Sequence, residues 1–188
     1  MNLKNELHHK GAMEYVLKDK IVEAFDIRSL ERELFQQEKK FEAVERGDTE
    51  ESSSLFCLRI KKPDINSYTS KKVEEFLRKK EFISFLKTQT GLEHIEIDRC
   101  QAHVYQKGDF LSIHNDTESC PDYKYSCILF FSDDYEGGEF KIYNDGKNYI
   151  FKPNYGSLLI IKSGLMHEVC KITKGTRKVL VFFLKTNI

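Results

Sequence analysis

Neither sign of charge is in excess in this chain: 30 Lys and Arg balance 30 Asp and Glu, so the formal net charge is zero. The electrostatic footprint of a protein that binds nucleic acid through phosphates is therefore missing, and no nucleic-acid partner is expected, although a local basic groove stays open. No apolar run approaches the ~18 residues of a membrane span, so no membrane partner is expected either. The opening stretch "MNLKNELHHKGAMEYV" lacks the apolar centre of a secretory leader, which makes cytoplasm the expected compartment. Tryptophan is absent, and the five cysteines (Cys57, Cys100, Cys120, Cys127 and Cys170) form no CxxC pair. They read as reduced packing residues rather than a zinc or disulfide framework. Internal repeats and low-complexity tracts are also lacking.

What is present is a globular composition, 40% hydrophobic with fourteen Phe and nine Tyr in 188 residues. A chain of this size buries roughly 70% of its unfolded surface. Residues 1–12 are polar and read as a flexible tail, leaving 13–188 as one domain. "DIRSLERELFQQEKKF" (26–41) has near-helical apolar spacing, and "ERGDTEESSS" (45–54) reads as an acidic loop. In "TSKKVEEFLRKKEFISFLKTQTG" (69–91), one apolar cluster holds Val73, Phe76 and Leu77 and a second holds Phe82, Ile83, Phe85 and Leu86. On one ideal helix these clusters would face nearly opposite sides. Two short helices, or a kink near Lys80, let both face a core, and Gly91 is a plausible stop. Residues 26–91 thus read as helical support.

From about residue 92 to 186 the character changes to short apolar or alternating runs: "IEIDRCQAHVYQKG", "FLSIH", "YKYSCILFFS", "EFKIYNDGKNYIF", "GSLLIIKSG", "HEVCKITKG" and "RKVLVFFLKT". The "NDG" at 144–146 marks a hairpin, and "DDYEGG" (133–138) another turn. Roughly seven or eight strands at this spacing predict an α+β, mainly β fold: a two-sheet barrel or jelly roll with flanking N-terminal helices on one sheet.

The chemistry concentrates in "DFLSIHNDTESC" (109–120). Residues two apart on a strand share a face, so His114 and Asp116 can aim an imidazole and a carboxylate at one ion. Two histidines and one carboxylate with open positions form the facial triad of non-haem iron oxygenases. Among six histidines, His8 and His9 lie in the tail, His94 precedes the strands, and His103 sits mid-strand. His167, at a strand end after an apolar run, is the expected third ligand. Arg177 follows ten positions later (177 − 167 = 10), on the face shared by Val179, Val181 and Phe183. A charge on an apolar face needs an anionic partner, and a guanidinium fork matches a carboxylate.

The segment "VYQKGDFLSIHND … SCILFFSDDYEGGEFKIY … FKPNYGSLLIIKSGLMHEVCKITKGTRKVLVFFL" resembles the Fe(II)/2-oxoglutarate-dependent dioxygenases of the prolyl 4-hydroxylase superfamily, particularly PKHD-type hydroxylases, over about residues 100 to 184. The resemblance implies a double-stranded β-helix, Fe(II) held by His114, Asp116 and His167, and 2-oxoglutarate bound by Arg177 with Tyr105 lining its pocket. It also implies O2 as oxidant, ascorbate as accessory reductant, and release of succinate and carbon dioxide as a C–H bond is hydroxylated. Asp116 favours hydroxylation over halogenation, since related halogenases carry a small residue there. Phe183 stands where nucleic-acid-dealkylating relatives usually carry a second arginine. Two departures stand out: Phe130 replaces a tyrosine that often touches the cosubstrate, and Val179 replaces a small or hydroxyl residue. The implied substrate is a prolyl or other amino-acid side chain in a protein or peptide. A free amino acid or small metabolite remains an alternative, as do a non-catalytic binding or sensing module on the same scaffold and a zinc-dependent hydrolase.

Overall fold

The computed structural model describes residues 10–17, 27–35, 42–46, 53–61 and 71–186, with side chains placed in all but 42–46, 53–61, 71 and 72. Among the described residues, three helices precede most of the strands: α1 (Ile27–Phe35), α2 (Lys71–Leu77) and α3 (Lys80–Thr90). The strands are β1 (Ala12–Val16), β2 (Glu42–Arg46), β3 (Ser53–Lys61), β4 (Glu96–Tyr105), β5 (Leu111–His114), β6 (Tyr123–Phe130), β7 (Tyr135–Gly137), β8 (Phe140–Asn144), β9 (Lys147–Phe151), β10 (Ser157–Lys162), β11 (Met166–Val169), β12 (Ile172–Gly175) and β13 (Arg177–Lys185). No helix among the described residues is long and apolar enough to cross a membrane.

A seven-stranded sheet runs in the order β1-β10-β6-β13-β4-β3-β2, and a four-stranded sheet in the order β5-β11-β8-β9 faces it. β12 and β7 form a further two-stranded pair. This is the double-stranded β-helix that the resemblance implies. The large sheet is covered on both faces, which is why β6, β10 and β13 read as nearly continuous apolar runs. Cys127, Leu129, Leu158, Ile160, Leu180 and Phe182 face the helices and pack with Leu30, Leu34, Val73, Phe76, Phe82 and Leu86. Their neighbours Ile128, Phe130, Leu159, Ile161 and Val179 face inward, with Phe140, Ile142 and Val169 of the smaller sheet.

The break between α2 and α3 at Arg78 and Lys79 resolves the conflict between the two apolar clusters. Phe76 and Phe82 meet at 4.8 Å between ring centroids, and Phe82 reaches Phe182 of β13 at 6.0 Å. Burying side chains such as Phe82 and Leu86 contributes roughly 1.5–3 kcal/mol each. Gly91 caps α3, its N–H bonding the Lys87 carbonyl at 2.9 Å. The "NDG" hairpin forms as expected: Asp145 and Gly146, both at positive φ, join β8 to β9.

Three expectations need correction. The support region 26–91 is not all helix, because β2 and β3 extend the large sheet beyond β4. Ala12, placed in the flexible tail, begins β1 and is fully buried beside β10. "HEVCKITKG" is two strands rather than one: β11 pairs with β5 and β8, whereas β12 pairs with β7. Of the expected helix 26–41, residues 27–35 are helical; the rest of it, and most of the acidic stretch 45–54, lie outside the described residues. His8 and His9 lie outside them too.

Candidate functional site

β5 and β11 are antiparallel neighbours, and their register sets His167 directly opposite His114. The two rings lie 4.3 Å apart between centroids. Each Nδ1 donates to a backbone carbonyl two residues back on its own strand, His114 to Ser112 and His167 to Leu165, both at 2.8 Å. A carbonyl only accepts, so the proton sits on Nδ1 and each Nε2 lone pair points into the site. Phe140 lies nearly parallel to the His167 ring at 5.2 Å and walls it in place.

Asp116 reaches the same point from a short 3-10 turn after β5. Asn115 caps that turn, its Oδ1 accepting from the Glu118 N–H (3.1 Å) and the Thr117 hydroxyl (2.6 Å). The Asp116 N–H is tied to the Ser163 carbonyl at 3.0 Å. Its carboxylate lies 3.6 Å from His114 Nε2 and 3.5 Å from His167 Nε2. One donor atom from each of the three residues falls within 4.8 Å of the other two, a spacing suited to a metal ion.

Behind the triad, Ser126 Oγ donates to Asp116 Oδ2 at 2.5 Å, and Ser163 Oγ lies 2.8 Å from Ser126 Oγ. Both serines are buried. Burial pushes the Asp116 carboxyl up, but the His114 hydrogen bond, the His167 charge and Ser126 outweigh it and hold the group below the ordinary carboxylate range. Burial moves His167 the other way, below the ordinary imidazole value, against the pull of Asp116. An ionised carboxylate and a neutral imidazole are the forms that bind a metal.

Arg177 begins β13 opposite Tyr105 of β4. It is 1% exposed, and its Nε and Nη1 have no hydrogen-bond partner among the described residues. The guanidinium lies 4.9 Å from the ring centroids of both Tyr105 and Phe130. These rings shield the cation without offering a hydrogen-bond acceptor at their faces, and a carboxylate would satisfy the two nitrogens. Tyr105 is buried, its hydroxyl 3.4 Å from His103 Nδ1. Val179, beside Phe130 in the sheet, completes the apolar inner wall. His103 is buried next to Gln101, 3.1 Å away, and His94 is exposed; neither joins the triad.

His114, Asp116 and His167 thus form one cluster, and Arg177 lies against Tyr105 and Phe130, which share an inner core cluster with the Phe140 that stacks on His167; the residues present fit a divalent metal and a carboxylate-bearing ligand. Ser126 and Ser163 escaped the sequence pattern. A hydroxyl inside an otherwise apolar strand, as in "YKYSCILFF", is the signal that points to Ser126, because a buried hydroxyl needs a partner.

Residues 100–185 match the family model of the 2OG-Fe(II) oxygenase superfamily. A PKHD-type hydroxylase of Colwellia psychrerythraea is 38% identical over 65 residues, 34% of this chain and 29% of that protein. A second PKHD-type hydroxylase, from a Synechococcus strain, is 35% identical over 65 residues, 34% of this chain and 30% of that protein. The alignment therefore spans under a third of these relatives' length. An oxidoreductase of the 2OG-Fe(II) oxygenase family from Burkholderia pseudomallei superposes with a TM-score of 0.82 at 25% identity, covering 97% of this chain and 89% of that one. A prolyl-4-hydroxylase from Pseudomonas putida shares the fold, with a TM-score of 0.68 at 19% identity over 98% of this chain and 97% of that one.

Proposed function

We propose that this chain, whose residues 100–185 match the family model of the 2OG-Fe(II) oxygenase superfamily, is an Fe(II)- and 2-oxoglutarate-dependent dioxygenase that hydroxylates an unactivated C–H bond. The substrate class we infer is a prolyl or other amino-acid side chain in a protein or peptide. The hydroxylase names of the Colwellia and Pseudomonas proteins support that class.

The observation that carries the reading is the His114–Asp116–His167 cluster together with a buried Arg177 whose Nε and Nη1 have no hydrogen-bond partner among the described residues. Iron with 2-oxoglutarate and oxygen supplies the oxidising chemistry when bound, converting the cosubstrate to succinate and carbon dioxide. The chain supplies the rest. His114 and His167 present their Nε2 lone pairs, and Asp116 supplies negative charge that its hydrogen bonds keep ionised. His114, Asp116 and His167 would hold the ion through three protein ligands and leave the rest of its coordination open. Arg177 receives the carboxylate remote from the metal and so orients the cosubstrate. Ile161, Leu159, Val179 and Phe130 keep the interior apolar and exclude water. A zinc hydrolase would use the same triad but leave Arg177 without a task.

The test is succinate release from 2-oxoglutarate after anaerobic Fe(II) loading and admission of oxygen, with ascorbate as reductant, in wild type beside Asp116→Ala. Turnover without added substrate is expected in the wild type and lost in the variant. A peptide and free-amino-acid screen then separates the two substrate classes. Failure of the iron-loaded chain to bind 2-oxoglutarate would overturn the reading and favour a binding module.

A further inference from the structure

We propose that Tyr135 is a second cosubstrate-binding residue, its hydroxyl joining the Arg177 guanidinium around the carboxylate of 2-oxoglutarate remote from the metal. The inference rests on the dioxygenase reading above and extends its site by one residue. Four buried side-chain polar atoms among the described residues have no hydrogen-bond partner: Tyr135 Oη, Arg177 Nε, Arg177 Nη1 and Ser157 Oγ. Three of them belong to two neighbouring side chains. A Cβ built on Gly138 would stand 3.1 Å from Tyr135 Cε2 and 3.2 Å from Arg177 Cδ, so both side chains close on the same glycine. The backbone explains the encounter: β7 pairs with β12 so that Tyr135 lies opposite Gly175, two residues before Arg177. Gly138, at φ +65°, has no side chain to hold the two apart, and a Cβ there would also strike Ile172 Cδ1.

The chemistry of this group is one-sided. A guanidinium only donates, and a phenol beside it has its proton free to donate outward. Buried donors that find no acceptor are uncommon in folded proteins and call for an explanation such as an absent ligand. A carboxylate, with two oxygens and several lone pairs, accepts from the guanidinium and the hydroxyl together. Phe130 presents its ring to Arg177 and has no hydroxyl to give, so Tyr135 supplies the neutral donor from a different strand. Burial raises the Tyr135 pKa while the Arg177 charge pulls it down, consistent with a neutral hydroxyl close to that cation.

The test is anaerobic titration of the Fe(II)-loaded full chain with 2-oxoglutarate and, separately, with 2-oxobutyrate, which keeps the 2-oxo acid but lacks the remote carboxylate. Binding is followed by calorimetry and by the visible charge-transfer absorption of the iron–oxo-acid complex. Tyr135→Phe is expected to weaken 2-oxoglutarate about tenfold and to leave 2-oxobutyrate unchanged. The melting temperature of the unliganded variant should hold or rise, because only an unpartnered hydroxyl is removed. Adding Phe130→Tyr should restore part of the loss. Unchanged 2-oxoglutarate affinity in Tyr135→Phe would overturn the assignment, as would an equal loss for both acids, which would mark a packing role. A wild type that binds neither acid would instead sink the dioxygenase reading and this inference with it.

Discussion

Ser126 is a small side chain placed to influence the proposed metal site. Its hydroxyl holds one oxygen of the Asp116 carboxylate at 2.5 Å, leaving the other free to meet an ion. Removing that donor in Ser126→Ala is expected to lower metal affinity about 10–100-fold, as losses of outer partners of ligands commonly do. Calorimetry with Mn(II) measures this, and Ser126→Thr, which keeps the hydroxyl, should retain most of the affinity. Equal affinity in the alanine variant would show that the turn capped by Asn115 holds Asp116 unaided. At this scale the ligand types were legible: His-x-Asp at a strand end and a later strand-end histidine carry their chemistry in their identity. Ser126, Ser163 and Tyr135 were not, because serine and tyrosine in strands mean little until a specific neighbour is known.

The same contrast holds for the elements. The β8–β9 hairpin and the α2–α3 break follow from local rules, turn chemistry in one case and incompatible apolar faces in the other. β7 does not: three residues in "DDYEGG" become a strand only because β12 lies alongside. β1–β3 escaped for a related reason, since each is stabilised by pairing within the large sheet rather than by a clear local pattern. β7 also supplies a sharp test. Gly137 has φ +74°, and a Cβ there would lie 2.2 Å from the Lys171 carbonyl oxygen, a backbone atom that cannot withdraw without parting the two strands. Gly137→Ala is expected to cost about 2–3 kcal/mol in urea unfolding and to weaken 2-oxoglutarate binding by displacing Tyr135. A variant of wild-type stability would mean that β7 tolerates separation from β12.

For the whole molecule, balanced charge leaves the pH dependence of stability to the few groups whose pKa differs between folded and unfolded states. Asp98 and Lys185 form such a pair, 2.8 Å apart at one end of β4 and β13. Burial alone would raise Asp98, but Lys185 and the Tyr123 hydroxyl outweigh it and hold the carboxyl below its ordinary value. A lowered acid stabilises the fold fully above its unfolded value of about 3.9, and the contribution is lost as pH falls through the folded value. Lys185 is raised, chiefly by its hydrogen bond to Asp98. Its contribution is complete below about pH 10.4 and is lost as pH rises through the folded value. Both side chains are partly exposed, so screening holds the pair to about 1 kcal/mol or less. Asp98→Asn is therefore expected to flatten both shoulders of a melting-temperature profile against pH while changing the plateau little. Unaltered shoulders would place the titrating groups elsewhere.

The sequence by itself determined a mainly β, two-sheet architecture, the candidate metal-binding side chains His114, Asp116 and His167, and the placing of the Arg177 charge on an apolar strand face, because side-chain type and strand periodicity act locally. Only the tertiary structure decided the pairing of His114 with His167, the serine relay behind Asp116, and the meeting of Tyr135 with Arg177. Those contacts arise from strand register between segments distant in the chain, where backbone hydrogen bonding and burial on both faces of the large sheet select the partners.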